Sequence, residues 1–256
     1  MKKFAAILMA LVMLLSVSAF AEEGNYLTWA TEATFAPYEF YGEGEEVIGI
    51  DAEIADAIAK KLGYDGAKVE DMGFDSILPA VTEGKVDMAL AGLTATAERM
   101  NGVYFSFPYA TSTQVVIVKE GSPIVSVDDL FVEGNNYAVG VQLGTTGYLY
   151  ATWDIEEAGL GTVESYPSYV DAVQALMNGK VDCVLIDAAP ADVFVAENEG
   201  LQILESAYTV ESYAIAISKD NVELLGKVTA ALQDLIADGT VDAIIEKYIP
   251  AEEAAE

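Results

Sequence analysis

Arg99 is the only arginine in a chain that carries 42 aspartate and glutamate residues, and every other basic residue is a lysine. A guanidinium offers two parallel N–H groups to a carboxylate, a geometry that the lysine ammonium cannot reproduce. A single arginine in such a sequence is therefore typical of a site that binds a carboxylate. The alternative is a surface ion pair with the adjacent Glu98, and composition alone does not separate the two interpretations.

Two further segments carry groups that bind charge. LGTTGYLY (143–150) is a glycine-rich turn that leads into a predicted helix, and the free N–H groups at a helix start attract anions. The turn lacks the P-loop pattern, and it could equally be an ordinary strand-to-helix connection. Asp187 ends an apolar strand, where its carboxylate could accept hydrogen bonds from an ammonium group or cap the helix that follows.

Aromatic residues cluster in TEATFAPYEF (31–40), beside a proline in a predicted loop. Tyr38 and Phe40 are expected in the core, whereas Phe35 is the better candidate to contact a ligand, together with Phe74 after the next strand. A cation, an anion-binding turn, a carboxylate and an aromatic face together match the carboxylate, the ammonium and the side chain of an α-amino acid.

The elements that must position these groups alternate along the chain. Strands are predicted at 25–33, 67–71, 86–93, 113–121, 137–142, 181–187, 201–204 and 213–219. Helices are predicted at 49–63, 74–84, 168–179, 190–200, 221–239 and 240–249, after an N-cap at Ser126, and after the turn at 143–150. Strands that alternate with helices indicate an α/β fold with mostly parallel sheets.

One pattern occurs twice. FDSILPAVTEGKVDMALAG (74–92) and YVDAVQALMNGKVDCVLID (169–187) each read as a helix, a GKVD turn and a buried strand. The repetition indicates either two similar lobes or a unit that any α/β protein tends to contain. In the two-lobe interpretation, Gly92 and Asp187 lie at equivalent places, just past the carboxyl ends of their strands, where open α/β sheets bind ligands.

Composition excludes several classes of function. The formal net charge of −30 argues against nucleic acid as a partner, because phosphates need a basic surface. With no histidine and one cysteine, a zinc site and a histidine-activated nucleophile are excluded or nearly so. Cys183 lies in an apolar run and is expected to be a small buried residue. No metal ion and no cofactor are predicted.

The first 21 residues resemble a secretory signal. Lys2 and Lys3 precede an apolar run, and Ala19-Phe20-Ala21 forms a small-residue cleavage site, so cleavage after Ala21 is predicted. The apolar run is short for a membrane span of about 20 residues. No cysteine follows it that could carry a lipid. We therefore expect a periplasmic or otherwise extracytoplasmic protein that is not tethered.

Several motifs occur in one order along the mature chain: TEATFAPYEF, IGIDAEIADAIAKKLG, FDSILPAVTEGKVDMALAGLTATAER, FSFPYATS, VGVQLGTTG, ALMNGKVDCVLID, YAIAISK and ADGTVDAIIEKY. In order and spacing, the chain resembles the polar amino-acid-binding proteins of ABC-type importers, solute-binding protein family 3. The resemblance implies a two-lobed venus-flytrap fold of the type II periplasmic binding proteins. Lobe one would comprise 22–112 and 212–256, lobe two 113–211, and two strands near 113–118 and 213–217 would form the hinge.

The resemblance also implies a role for nine residues in binding an amino acid. The α-carboxylate would be bound by Arg99 and by the backbone N–H of Thr146. The α-ammonium would be bound by Asp187, the carbonyl of Gly92 and the hydroxyl of Thr94. The side chain would lie between Phe35 and Phe74, with Glu32 and Gln142 near its distal end.

By this resemblance, the expected function is capture of a free polar amino acid between two lobes and delivery to an ABC-type membrane permease, by a monomer. Glu32 and the acidic composition favour a basic ligand, with a glutamine-like ligand next. Two alternatives stay open: a sensor or receptor lobe, and an enzyme similar to cyclohexadienyl dehydratase. For the enzyme, Glu32 is the obvious candidate for an acid or base.

Overall fold

The computed structural model describes residues 24–250 of the chain. The predicted signal peptide, residues 1–21, lies outside the described residues. Among the described residues, none of the helices combines the length and the apolar character that a membrane span requires.

Strands and helices alternate as predicted. The strands are β1 (Tyr26–Thr31), β2 (Thr34–Phe35), β3 (Glu39–Tyr41), β4 (Val47–Ile48), β5 (Gly66–Asp71), β6 (Met88–Ala89), β7 (Val103–Lys119), β8 (Tyr137–Gln142), β9 (Gly161–Tyr166), β10 (Cys183–Asp187), β11 (Leu201–Ile203) and β12 (Thr209–Ser218). The α-helices are α1 (Ile50–Lys61), α2 (Phe74–Thr82), α3 (Thr146–Ala151), α4 (Tyr169–Met177), α5 (Ala188–Glu197), α6 (Val222–Ala237) and α7 (Thr240–Tyr248).

Nine strands form one sheet in the order β5-β1-β6-β12-β7-β10-β8-β9, with β11 paired to β7. Strands β5, β1 and β6 are parallel, and so are β10, β8 and β9. We call β1, β5 and β6 with α1, α2, α6 and α7 the first unit, and β8, β9 and β10 with α3, α4 and α5 the second unit. This arrangement confirms the expected two-lobed α/β fold with mostly parallel sheets.

Strands β7 and β12 connect the two units. They pair antiparallel along most of their length, while β6 binds β12 at Ala216 and Ile217 and β10 binds β7 from Gln114 onward. Between these points, residues 110–113 pair only with 210–213, and we call these two stretches the crossing segment. The predicted hinge stretches, 113–118 and 213–217, lie in the same strands, mostly in the parts of the sheet where β7 and β12 also pair with β10 and β6.

Several strands differ from the sequence prediction. The short strands β2, β3 and β4 were not predicted. Strand β7 starts ten residues before the predicted strand 113–121. Its first half was not predicted because it contains Pro108, and a proline argues against a central strand. In the structure, Pro108 lies where the β7–β12 register is irregular. Strand β6 spans only part of the predicted 86–93. Strand β9 was not predicted, since it is a largely exposed edge strand without an apolar run.

Local sequence signals account for much of the packing. Ile54 and Ile58 lie on the buried face of α1, as their spacing predicts, and α6 and α7 pack against that helix. Ser126 caps a short 3₁₀ helix, Val127–Phe131, through a complete capping box. Cys183 is fully buried, which confirms its predicted role as a small core residue.

The GKVD turns perform the same structural task in both units. The carboxylate of Asp87 accepts hydrogen bonds from the backbone N–H of Thr28 at 2.8 Å and from its hydroxyl at 2.7 Å. The carboxylate of Asp182 accepts one from the backbone N–H of Ala138 at 2.8 Å. Each turn thereby fixes its buried strand to the start of a neighbouring strand.

Candidate functional site

A narrow, tightly closed cavity lies between the two units, at the carboxyl ends of their strands. Seven of the nine residues predicted to bind a ligand line it: Glu32, Phe35, Phe74, Arg99, Gln142, Thr146 and Asp187. Ala91, Glu39, Thr145 and Tyr169 complete the lining. The remaining two predicted residues, Gly92 and Thr94, follow Ala91 in the chain, so the structure brings the predicted set together.

Gly92 adopts a left-handed backbone conformation, with φ of +54°. A Cβ atom there would lie 2.9 Å from the Phe35 ring, so only glycine satisfies both the conformation and the close approach. The Gly92 N–H donates to the buried carboxylate of Asp51 at 3.0 Å. Two residues on, Thr94 donates its hydroxyl to Glu211 at 3.2 Å, and these bonds hold the loop after β6 against the cavity.

Arg99 opens a short 3₁₀ turn after this loop, and its guanidinium contacts both units. It donates to the carbonyl of Thr94 at 2.9 Å and, across the cavity, to the carbonyl of Gly144 at 3.0 Å. Its Cζ lies 5.5 Å from the centre of the Phe74 ring. Among residues 24–250, no carboxylate lies within 4.0 Å of this guanidinium, so the surface pair with Glu98 is not formed.

Burial lowers the pKa of Arg99, and the charge of Glu211 is the largest opposing influence. The group nevertheless keeps its charge at neutral pH, because an arginine in a protein is effectively always protonated. A cation that is partly removed from water and bonded only to carbonyl groups can bind a carboxylate that enters the cavity.

Asp187 occupies the position before α5, where the sequence left open whether it caps that helix. Its side chain makes no capping hydrogen bond. It is buried and instead accepts hydrogen bonds from the amide of Gln114, at 2.7 Å, and from the hydroxyl of Tyr213. Burial, followed by the charge of Glu211, raises the pKa of Asp187 to about 7. The carboxylate therefore faces the cavity and titrates near neutrality.

Glu32 and Gln142 meet from opposite units. The Gln142 amide donates to the Glu32 carboxylate and, at 3.0 Å, to the carbonyl of Pro167. Both side chains are buried, and burial raises the pKa of Glu32 against the lowering effect of this hydrogen bond. An acidic group thus lies at one end of the cavity, where it can accept a hydrogen bond from a polar or cationic group.

Stacked rings form one wall of the cavity. The Phe35 ring lies 5.9 Å from those of Tyr38 and Tyr169, and both pairs are stacked. Tyr169 belongs to the second unit, so this stack also joins the two units. Tyr38 is buried as expected, whereas Phe40 is half-buried and packs edge-on against Tyr248.

The turn at 143–150 enters α3, as predicted from its glycines. Thr145 is the N-cap residue, and its hydroxyl accepts a hydrogen bond from the N–H of Tyr148 at 3.2 Å. Thr146 is the first helical residue, and its hydroxyl donates to Glu211 at 2.9 Å. The turn is therefore capped as an ordinary helix start is, and it also forms a wall of the cavity.

Sequence analysis missed Glu211, Gln114 and the buried acid pair Glu39 and Asp51. Burial raises the pKa of Asp51 to about 6 and that of Glu39 well above its usual range. A signal for Glu211 was present, since alternate residues of a strand share a face and Glu211 alternates with Tyr213 and Ile215. No such pattern marks Glu39, which lies in a short, irregular stretch.

Comparison with known proteins places the chain in a family. The model of the bacterial extracellular solute-binding proteins, family 3, matches residues 27–251. The arginine-binding extracellular protein ArtP of Bacillus subtilis is 34% identical over 229 residues, which cover 88% of this chain and 87% of that protein. The L-cystine-binding protein TcyJ of Escherichia coli is 30% identical over 254 residues, covering 95% and 92%.

Solved structures give the same result. An ancestral arginine-binding protein, bound to glutamine in one crystal structure, superposes with a TM-score of 0.81 at 39% identity, covering 89% of this chain and 99% of that one. An ancestral arginine-binding protein bound to arginine gives a TM-score of 0.80, also at 39% identity, covering 88% of this chain and 98% of that one. The chain belongs to the bacterial extracellular solute-binding proteins of family 3.

Proposed function

We propose that the protein binds a free amino acid in the cavity between its units and delivers it to an ABC-type membrane permease. The observation that carries this proposal is the opposition of charge in one cavity. Arg99, bonded only to carbonyl groups, lines the same cavity as the buried carboxylate of Asp187. A zwitterion carries both complementary charges, whereas a simple carboxylic acid or an amine carries one of them.

In the proposed complex, the α-carboxylate binds the guanidinium of Arg99 and the N–H of Thr146, and the α-ammonium binds Asp187. The carbonyl of Gly92 and the hydroxyl of Thr94 complete the ammonium site. Removal of these groups from water strengthens each charged hydrogen bond, because the effective dielectric constant falls. Affinity therefore depends on closure of the two lobes around the ligand.

The charges around the cavity favour a basic amino acid. Among the described residues, Arg99 is the only cation that lines it, against the carboxyl groups of Glu32 and Asp187. A ligand with a net positive charge improves this balance, and Glu32 lies where a distal ammonium or guanidinium can reach it. A neutral amide is the next candidate, because the Gln142 amide already donates to Glu32 and can turn to a polar ligand.

Relatives with known ligands support the proposal and leave the choice of amino acid to experiment. The named ligands of the compared proteins are arginine, glutamine and cystine. All are polar amino acids, and the proteins are named for binding rather than for turnover. We therefore propose a carrier without catalytic activity, with lobes at 22–112 plus 212–256 and at 113–211, exported by cleavage after Ala21 and active as a monomer.

A thermal-shift screen tests the proposal. The chain from residue 22 is heated with each of the twenty amino acids, ornithine and cystine, and hits are titrated by calorimetry. A ligand at a hundredfold its Kd stabilises the folded state by about 2.7 kcal/mol, which raises the melting temperature by several degrees. We expect the largest shifts with arginine, lysine or ornithine.

The possible results separate the parts of the proposal. A shift with a neutral amino acid alone retains the carrier function and removes the charge argument for a basic ligand. No shift with any amino acid contradicts amino-acid binding, and turnover assays would then test the cleft for enzymatic activity.

A further inference from the structure

We propose that Glu211 is the latch that holds the two lobes closed around the ligand, a positioning residue outside the set predicted to touch the amino acid. The inference deepens the proposed function and rests on it for the part that concerns ligand release. The role of Glu211 in closure requires only that the two lobes can separate.

One oxygen of Glu211 accepts hydrogen bonds from three parts of the molecule. Oε2 accepts from the hydroxyl of Thr146 at 2.9 Å, from the hydroxyl of Thr94 at 3.2 Å and from the amide of Gln114 at 3.2 Å. Thr94 belongs to the loop after β6 in the first unit, and Thr146 starts α3 in the second. A single carboxylate oxygen therefore joins both walls of the cavity.

The position of Glu211 in the chain makes these bonds sensitive to opening. The residue lies in the crossing segment, two residues before Tyr213, which forms an isolated bridge with Thr94. A rotation of one unit about this segment moves Thr94 and Thr146 apart. Both hydroxyls cannot then stay within hydrogen-bond distance of one oxygen, so the complete set of bonds exists only in the closed arrangement.

The negative charge of the Glu211 side chain strengthens these hydrogen bonds. Glu211 is 4% exposed, and hydrogen bonds to a buried charged acceptor are about twice as strong as those between neutral groups. A glutamine at this position has the same shape and can place its amide oxygen where Oε2 accepts, so it removes the charge while the acceptor position stays filled. Loss of the charge therefore weakens the closed state specifically.

Glu205 is a nearby acidic residue that can serve as a comparison for Glu211. Glu205 lies six residues earlier in the chain and is exposed. The second oxygen of Glu211, Oε1, is buried and has no hydrogen-bond partner among the described residues. The E205Q variant removes the same charge at the surface and serves as a matched control for E211Q.

The test compares wild type, E211Q, T146V and the double variant E211Q/T146V, with E205Q as control. Dissociation and association rates are measured by stopped flow with L-arginine. For E211Q we expect dissociation about tenfold faster and association changed by less than about twofold, since a latch acts after the ligand has bound. T146V removes the hydroxyl and keeps the backbone N–H. The double variant should lose little more than E211Q alone, because both changes remove one interaction.

A second measurement requires no ligand. Small-angle X-ray scattering of the ligand-free proteins should give a larger radius of gyration for E211Q than for wild type and E205Q. A purely structural role would lower the melting temperature of E211Q without changing the release rate or the radius.

Additive effects of E211Q and T146V, or an unchanged radius together with an unchanged release rate, would overturn the latch. If arginine and every other amino acid fail to bind, the proposed function fails, and scattering alone decides whether Glu211 controls closure.

Discussion

The segments 74–92 and 169–187 are built alike and end differently. In each, a helix leads through a GKVD turn to a buried strand, and the aspartate of the turn bonds to a neighbouring strand. After β6 the chain continues to Gly92 and Arg99, whereas β10 ends at Asp187. The repeated part forms the scaffold of each unit. The part that is not repeated sets a cation on one side of the cavity and an anion on the other.

This difference shows how two similar units can divide the recognition of one small ligand. A zwitterion bound between them would meet the charged partner of its carboxylate, Arg99, in the first unit and that of its ammonium, Asp187, in the second. Neither unit alone supplies both charges, so full affinity needs both units in contact. Function thus lies in the edge residues, and the fold beneath them can stay nearly the same.

Removal of the cation should have the largest effect on this division. We predict that R99A lowers affinity for the ligand by at least about a hundredfold, because truncation of one partner leaves the other charge buried and unpaired, at a cost of about 2–5 kcal/mol. Isothermal titration calorimetry measures the change. R99K keeps the charge but loses the two parallel N–H groups, and it should recover only part of the affinity. Equal affinities for R99K and wild type would contradict the need for a guanidinium.

Asp187 should make binding depend on pH from the other side of the cavity. Its pKa in the ligand-free protein is raised to about 7, and an ammonium group favours the ionised form. Affinity should therefore rise with pH up to about 7 and fall about tenfold per pH unit below it, since the ligand must displace a proton. Calorimetry at pH 5 to 8, in buffers of different ionisation enthalpy, detects the released proton.

The D187N variant provides the matched control for that pH dependence. It should bind weakly at pH 8 and show little further loss down to pH 6. A pH profile that is steep in D187N would assign the titration to another group, with Glu32 the first to test.

Glu32 should affect selectivity more than overall binding. We predict that E32Q lowers affinity for arginine by about tenfold, the value of one lost charged hydrogen bond, and changes affinity for glutamine much less. Competition calorimetry of the two ligands gives the ratio directly. An equal loss for both ligands would show that Glu32 supports the cavity wall through Gln142 and does not read the ligand's charge.

Substitutions in the GKVD turns should have the smallest effect on binding and should test whether the two scaffolds are equivalent. D87N removes the charge of the acceptor of two bonds from Thr28, while D182N removes the charge of the acceptor of one bond from Ala138. We expect losses of unfolding free energy of about 1–3 kcal/mol, larger for D87N. Urea unfolding measures stability, and calorimetry should find ligand affinity changed less than about threefold. A large loss of affinity in either variant would contradict the separation of scaffold from site.

The fold could be read from the sequence to a large extent. Apolar spacing located α1, α2, α4 and α6, and β-strand patterns located β1, β5, β8 and β10, because periodicity reflects which face is buried. The prediction failed where the residue pattern does not reflect burial. This is the case at β9, an exposed edge strand, and in the first half of β7, which contains Pro108. The residues of β7 and β12 that pair only with each other could not be predicted, since strand pairing is not visible in local sequence.

The candidate site divides in the same way. Composition singled out Arg99, and the ends of apolar runs located Asp187 and the turn at Thr145 and Thr146. The resemblance to a family then added Glu32, Gln142 and the aromatic residues. Neither composition nor the resemblance identified Glu211 or Gln114. Both are polar residues within segments that were predicted as, or lie next to, apolar strands.

By itself, the sequence determined the α/β architecture, the repeated helix–turn–strand unit and the residues with unusual chemistry, because these follow from local spacing and residue type. Only the tertiary structure decided that Asp187 bonds to Gln114 and Tyr213 instead of capping its helix, and that Glu211 joins Thr94 to Thr146. Hydrogen bonds between residues far apart in the chain depend on how β7 and β12 cross. That geometry is set by the packing of both units together, so no short stretch of sequence contains it.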